Sequence, residues 1–232
     1  MMQSGNSYRP MMSAKRALRI RAWHDAALIE SKRETTVELN YLGRSLVVPP
    51  GVFVPTPVSP LLGKAVLAEV QYNDRVLDLG TGSGVNAILA ASKTRDVVAV
   101  DINPASIICA KRNAKRNRVE SHIRFLVSDL FDKVSGRFDL IIFDPPFRWF
   151  KPRSIEERAT ADEDYATLTT FFTRLTGVLR PGGRVLISFG TSGDIAYLRH
   201  LMTQAGLRKR IVASKEITKD GWKVKYFIYK LT

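Results

Sequence analysis

Five short apolar runs constrain the fold more than any other feature of this chain. They occupy residues 76–79, 97–100, 123–127, 140–143 and 185–188, and stretches with helical spacing separate them. Runs of nearly continuous apolar residues are typical of parallel strands that helices cover on both faces. Two later segments, 209–217 and 222–229, flank the turn dipeptide Asp220-Gly221 and indicate a hairpin. The sequence therefore predicts an α/β fold: a doubly wound, mostly parallel seven-stranded sheet with a C-terminal antiparallel hairpin.

The first 57 residues follow a different pattern. From Ser13 onward, apolar residues recur at spacings of three and four among basic ones, which predicts an amphipathic helix with a basic face. Residues 37–48 alternate around Gly43 as a short hairpin would, and residues 49–57 are too rich in proline for a regular element. We expect residues 1–57 to form an accessory segment of basic helix, hairpin and proline-rich lid, and residues 58–232 to form the main domain.

Composition excludes several classes of protein. The 232 residues include one cysteine, Cys109, so neither an internal disulfide nor a cysteine-based zinc cluster is possible. His24, His122 and His200 lie far apart, and we expect no metal site. No apolar run approaches the roughly 20 residues of a membrane span, and the first residues lack the apolar stretch of a signal peptide. These features predict a cytoplasmic protein without a membrane partner.

The chain is strongly basic. Its 36 Lys and Arg against 22 Asp and Glu give a net charge of +14, which attracts polyanions or acidic partners but also serves as an ordinary solvated surface. Basic side chains crowd the stretch after Asp101 and the terminal hairpin. RNA across these runs and a merely solvated face both remain open, and the sequence does not indicate an oligomeric state.

A glycine-rich turn follows the first apolar run. Gly80, Gly82 and Gly84 are spaced at i, i+2 and i+4, whereas a dinucleotide fingerprint needs its third glycine where Val85 stands. Asp78 precedes the turn, and Asp101 ends the next run, where a carboxylate can accept hydrogen bonds from ribose hydroxyls. Two carboxylates beside such a turn favour a nucleoside that carries a cationic amino acid. Taken singly, each aspartate is equally typical of a helix cap or a turn.

This arrangement resembles the S-adenosylmethionine site of class I methyltransferases, from about Leu61 to the C-terminus. The resemblance implies a Rossmann-like fold and S-adenosyl-L-methionine as cofactor. It also implies that the glycine loop contacts the methionine part, that the acid after the second strand binds ribose, and that the residues after the third run contact adenine. The cofactor-binding residues so predicted are Asp78, Gly80, Thr81, Gly82, Gly84, Asp101, Ile102, Asp129 and Leu130.

A second motif, Asp144-Pro145-Pro146-Phe147, follows the fourth apolar run. It lies where open α/β sheets bind ligands, at the carboxyl end of a strand. Two prolines stiffen the corner, so that backbone carbonyls and the Asp144 carboxylate can accept both hydrogens of a planar amino group beside the flat face of Phe147. We therefore predict that Asp144, Pro145, Pro146 and Phe147 are catalytic, and that Phe147 and Trp149 contact the substrate.

The corner resembles the Asn/Asp-Pro-Pro-aromatic motif of amino-group methyltransferases, which act on exocyclic amines of nucleic-acid bases or on glutamine amides of proteins. Residues 41–57 resemble the segment that precedes the fold in HemK-type release-factor glutamine methyltransferases. Asp144 and Phe147 stand where those enzymes usually carry Asn and Tyr. The resemblance implies an N-methyltransferase, with a protein glutamine favoured as acceptor. An RNA base amine, a small molecule, and a module that binds the cofactor without turnover are the alternatives.

Overall fold

The computed structural model describes residues 8–31, 34–219 and 221–232. Asp220, half of the predicted turn dipeptide, lies outside this part of the chain. Helices and strands follow one another in the order α1 (Ala14–Ser31), β1 (Val37–Tyr41), β2 (Arg44–Val48), α2 (Pro60–Glu69), β3 (Arg75–Leu79), α3 (Val85–Ala91), β4 (Asp96–Asp101), α4 (Pro104–Arg116), β5 (Ile123–Val127), β6 (Phe138–Phe143), α5 (Ala166–Val178), β7 (Leu179–Gly190), α6 (Ile195–Gln204), β8 (Lys209–Lys219) and β9 (Trp222–Leu231).

Seven strands form the main sheet in the order β5-β4-β3-β6-β7-β9-β8. Neighbours from β5 to β7 are parallel, whereas β9 pairs antiparallel with both β7 and β8. Side chains that alternate along the central strands enter two cores, one beneath α5 and α6 and the other beneath α2, α3 and α4. The predicted fold class, including the terminal antiparallel hairpin, is confirmed.

The strand order reverses at β3, and this places the site. β4 and β5 extend the sheet to one side of β3, whereas β6 and β7 extend it to the other. Leu79, the last residue of β3, lies opposite Phe143, the last residue of β6. Since neighbouring strands are about 4.8 Å apart, the glycine loop and the Asp144 corner leave the sheet side by side.

The hairpin of β1 and β2 packs against the main domain. Leu46 and Val48 are fully buried in the core beneath α2 to α4. Asn113 of α4 accepts a hydrogen bond from the Val47 amide at 2.9 Å, and Asn117 donates one to the Ser45 carbonyl at 2.8 Å. The hairpin therefore shares a core with the sheet, and the predicted domain division after residue 57 stays a prediction.

The described ranges lack two features, a membrane-spanning helix and a cluster of metal-ligating side chains. None of their helices combines the length and the apolar character needed to cross a bilayer. The same ranges contain no group of three or more His, Cys, Asp and Glu side chains positioned to hold a metal ion.

Candidate active site

Asp78 anchors the glycine loop from the end of β3. Its Oδ2 accepts hydrogen bonds from the Thr81 hydroxyl at 2.6 Å and from the Ala87 amide at 3.1 Å. Burial raises the pKa of Asp78 to about 7 although these hydrogen bonds oppose the shift, and the charges of Asp101 and Asp144 raise the pKa further. Asp78 thus ties the loop to the first turn of α3, while Oδ1 keeps free acceptor capacity.

The loop backbone requires glycine. Gly80, Gly82 and Gly84 all have a left-handed φ, at 67°, 54° and 86°. A side chain at Gly84 would also place its Cβ 2.8 Å from the Cβ of Ala110 in α4. The glycines therefore allow both the turn and the close approach of α3 to α4.

Asp101 faces this loop from the end of β4. Its Oδ2 accepts a hydrogen bond from the Gly82 amide at 2.8 Å, and its Oδ1 accepts one from the Asn103 amide at 2.9 Å. Burial raises the pKa of Asp101, and these backbone donors oppose the shift. The Ser106 hydroxyl and the Ile102 amide donate to the carboxylate as well, so a ligand diol would share the Asp101 oxygens with these donors. Ile102 is half-buried beside it.

Asp129 and Leu130 follow β5, the neighbour of β4. Asp101 lies opposite Val127 in register, and Asp129 follows Val127 by two residues. The Asp101 and Asp129 carboxylates therefore lie at the same edge of the sheet. Asp129 is exposed, whereas Leu130 is buried with a φ of 40°. The turn is held by Ser128, whose hydroxyl accepts a hydrogen bond from the Lys133 amide at 3.0 Å.

Asp144 begins the corner after β6. Asp144 is half-buried, and desolvation of its carboxyl group raises its pKa to about 6 while a hydrogen bond from Ser188 opposes the shift. Ser188 belongs to β7, and sequence reasoning missed it because no motif connects it with the corner. Pro145 is buried and Pro146 half-buried beside Asp144.

Phe147 is held by residues from later in the chain. Its carbonyl accepts a hydrogen bond from the Tyr165 hydroxyl at 2.6 Å, and that hydroxyl accepts one from the Asp194 amide at 2.8 Å. The Phe147 ring packs against Phe189 and Tyr226, with centroids 5.1 and 6.0 Å away. These contacts fix the corner from outside, and no sequence motif indicated them.

The residues before α1 bind to Asp194, whose amide donates to the Tyr165 hydroxyl behind the corner. The Asp194 Oδ2 accepts hydrogen bonds from the Tyr8 hydroxyl at 2.5 Å and from the Met11 amide at 2.6 Å. Its Oδ1 accepts bonds from the first amides of α6. Asp194 therefore joins the N-terminal segment, α6 and Tyr165 within one hydrogen-bonded unit behind the corner.

Trp149 lies in an aromatic cluster. It is 8% exposed, and its ring packs against Tyr8, Phe150 and Tyr165 with centroids 6.0, 4.9 and 6.0 Å away. The structure thus brings Asp78, Asp101, Asp144 and the glycine loop to one edge but places Trp149 beneath the N-terminal segment. A substrate contact through Trp149 stays a prediction.

The crevice has the chemistry of a site for a cationic nucleoside. Three carboxylates converge on it, and the charges of Asp101 and Asp144 both act on Asp78. A ligand with positive charge relieves this repulsion, and a carboxylate at the end of the second parallel strand suits ribose hydroxyls. The residues present therefore fit S-adenosylmethionine, whose sulfonium and ammonium groups carry positive charge.

Fold and site together define a class I S-adenosylmethionine-dependent methyltransferase. The chain belongs to the methyltransferase small domain family, whose model matches residues 45–216. The enzyme class and the HemK-type resemblance predicted from the sequence are confirmed.

Two relatives and one solved structure show what this chain is similar to. A Methanocaldococcus jannaschii protein, provisionally named protein N5-glutamine methyltransferase, is 38% identical to this chain. The match covers 62% of this chain and 75% of the length of that protein. The release factor glutamine methyltransferase of Bordetella pertussis is 32% identical over 73% of this chain and 67% of its own. The solved structure of the M. jannaschii tRNA m1G37 methyltransferase superposes with a TM-score of 0.63 at 18% identity, over 86% of this chain and 55% of its own. That last likeness concerns the fold alone.

Proposed function

We infer that this protein transfers a methyl group from S-adenosylmethionine to the amide nitrogen of a glutamine side chain in a protein. The observation that carries this proposal is the Asp144 corner, which leaves the sheet directly beside the glycine loop. The two relatives named for glutamine methylation favour this acceptor, because each is more than 30% identical to the chain.

Residues along the carboxyl edge of the sheet would hold the cofactor. Asp101 and Ile102 would bind the ribose, Gly80 to Gly84 the methionine part, and Asp129 with Leu130 the adenine, since all of them lie at this edge. When bound there, the cofactor supplies an activated methyl group on a sulfonium, so alignment of the acceptor is the main task left to the protein.

The corner would align that acceptor. The Asp144 carboxylate and a backbone carbonyl beside it would accept hydrogen bonds from the two N–H groups of the amide, which would turn the nitrogen lone pair toward the glycine loop. The ionised carboxylate would stabilise the positive charge that develops on nitrogen as the N–C bond forms and the S–C bond breaks, an effect of preorganised electrostatics. The methylated nitrogen would then lose one N–H proton, through the carboxylate that it contacts, to solvent. Phe147, held by Tyr165, Phe189 and Tyr226, presents an apolar face that excludes water.

An amino group of an RNA base is the second candidate acceptor. The net charge of +14 favours it, because a basic surface attracts a polyanion. A base amine has the same planar N–H₂ geometry as an amide, so the corner alone does not distinguish the two.

Methyl labelling tests the proposal. A lysate of the source cells would be incubated with the purified protein and tritiated S-adenosylmethionine, and protein and RNA fractions would then be separated. We expect the label to be lost on treatment with protease and kept on treatment with ribonuclease. Mass spectrometry should then locate the methyl group on a glutamine. Label in RNA alone would refute the glutamine proposal. Tight cofactor binding by calorimetry without any label would instead support a module that binds without turnover.

A further inference from the structure

A basic groove lies between α1 and the start of β9. Its volume is about 330 Å³, and Lys15, Arg16 and Arg19 line one wall while Lys223 and Trp222 line the other. Among the described residues that line it, none is acidic. Nothing in the proposed methyl transfer uses this groove.

Two of its arginines are held in place. The Arg16 Nη2 donates a hydrogen bond to the Thr191 carbonyl at 2.8 Å, and the Arg19 guanidinium lies 4.2 Å from the centroid of the Trp222 ring. A guanidinium that rests on an aromatic face keeps the N–H groups along its edge for an oxyanion. The groove therefore offers donors whose orientation is already fixed.

The positive charge of the groove is largely uncompensated. Within the described part of the chain, Lys15, Arg16 and Arg19 form no ion pair, and Lys223 lies 3.9 Å from Glu216 in an exposed pair of little strength. Arg21 on α1 and Lys225 on β9 are exposed and extend the basic surface along both elements. A partner with regularly repeated negative charge complements this surface.

Strand β9 connects the groove with a residue that contacts the Asp144 corner. Side chains alternate along a strand, so Trp222 and Tyr226 lie on the same face of β9. The Tyr226 ring contacts Phe147, and Tyr226 pairs with Gly190, the residue before Thr191. Four residues of extended strand span about 13 Å, which is the distance along β9 from Trp222 to the residue that contacts Phe147.

We propose that this groove binds the sugar-phosphate backbone of single-stranded RNA. RNA carries one phosphate per nucleotide, and this regular charge matches cations on both walls of the groove. The carboxylates of an acidic protein segment lie among uncharged residues and match the cations less well. Guanidinium groups with a fixed edge suit the oxygens of phosphate. The proposal goes beyond the inferred acceptor and does not depend on it, since RNA binding requires no methyl transfer.

Fluorescence anisotropy with the full chain tests this site. The probe is a labelled polyuridine of about 20 nucleotides, long enough for the usual site sizes, titrated at several potassium chloride concentrations without methyl donor. The groove variant is Arg16→Gln/Arg19→Gln/Lys223→Gln. Its matched control, Lys111→Gln/Arg112→Gln/Lys115→Gln, removes the same charge from exposed positions on α4.

We expect the groove variant to bind polyuridine at least about tenfold more weakly near physiological salt, with a salt slope reduced by about 2 for three lost phosphate contacts. The control should stay within about threefold of the unmodified protein. Equal losses in both variants would show that net charge alone attracts RNA and would overturn the site. No binding by the unmodified protein would overturn it too, as would polyglutamate of matched charge displacing the RNA equally well.

A milder variant guards against misfolding. Lys15→Gln/Lys223→Gln alters two exposed side chains, and we expect about a threefold loss of RNA affinity with unchanged thermal unfolding and cofactor affinity. An unchanged RNA affinity in this variant and in the triple variant would contradict the proposal. Because no methyl donor is present, failure of glutamine methylation leaves this result unaffected, and the reverse also holds.

Discussion

The two loops at the carboxyl edge of the sheet are held in different ways. The glycine loop is fixed by its own neighbourhood, since Asp78 binds Thr81 and Ala87 and Asp101 binds Gly82. The Asp144 corner is fixed from outside, by side chains that follow it much later in the chain. The proposed cofactor side is therefore a local motif, whereas the proposed acceptor side depends on assembled tertiary structure. Substitutions in the two loops should separate cofactor affinity from turnover.

Asp144→Ala should have the largest effect. It removes the acceptor carboxylate and the charge that stabilises the methylated nitrogen, so we expect kcat to fall about 10²–10³-fold. The cofactor Kd, measured by calorimetry, should stay within about twofold because the glycine loop and Asp101 remain intact. Asp144→Asn keeps one acceptor oxygen and should lose less. A fully active Asp144→Ala variant would remove the corner from the mechanism.

Asp101→Ala tests the other side of the comparison. The loss of acceptors for a ligand diol should weaken cofactor binding about 10–100-fold, which corresponds to about 1.5–3 kcal/mol, while kcat at saturating cofactor changes little. Asp96→Ala serves as the control, because Asp96 begins the same strand and its only ion pair, among the residues described, is exposed. Equal cofactor affinities for the two variants would contradict the ribose assignment.

The same contrast explains what the sequence could predict. Apolar runs and glycine spacing depend on nearby residues, so the strands, the glycine loop and Asp101 were found at the correct edge. Ser188 and Tyr165 support the corner because the strand order and the path of a loop bring them there. No local sequence pattern predicts either. The position of Trp149 is a further example: it depends on the loop after the corner, where the Asp162 amide donates to the Arg148 carbonyl at 2.8 Å, and its predicted substrate contact stays a prediction.

The pH dependence of turnover should identify the corner directly. Burial raises the pKa of Asp144 to about 6, and the proposed mechanism needs the ionised form. The kcat/KM at limiting acceptor should therefore be constant well above pH 6 and fall about tenfold per pH unit below it. Asp144→Asn should abolish this acid limb at that pH. A limb that persists unchanged in the variant would assign the titration to another group.

Tyr165→Phe probes the outer support with a smaller change. The Phe147 carbonyl loses its donor and the Asp194 amide its acceptor, so kcat should fall about three- to tenfold and the free energy of unfolding by about 1–3 kcal/mol. Cofactor affinity should be unchanged. Tyr197→Phe is the control: its ring stacks on Tyr165, but its hydroxyl pairs with Thr169. If the control loses as much turnover as Tyr165→Phe, the Phe147 contact has no special role.

The smallest effect concerns how α1 attaches near the corner. His24 is buried, its Nε2 lies 3.0 Å from Glu157, and Arg148 approaches its Nδ1 at 3.3 Å. Burial lowers the pKa of His24 although the hydrogen bond to Glu157 opposes the shift. A neutral ring that donates from Nε2 and accepts at Nδ1 satisfies both contacts. Because the unfolded chain binds the proton first, the free energy of unfolding should decrease as pH falls below about 6.5, by at most about 1.4 kcal/mol per pH unit.

Denaturant unfolding of the unmodified protein and of His24→Gln at several pH values measures this contribution. Glutamine can also donate and accept, so the variant should fold, and the stability difference between the two proteins should narrow as pH falls from about 6.5 to 5. Cofactor affinity should be equal for both at neutral pH, since His24 contacts the residue after Phe147 and not the glycine loop. A stability difference that does not vary with pH would mean that His24 titrates alike in the folded and unfolded chains. The neutral ring between Arg148 and Glu157 would then not be part of the support of the corner.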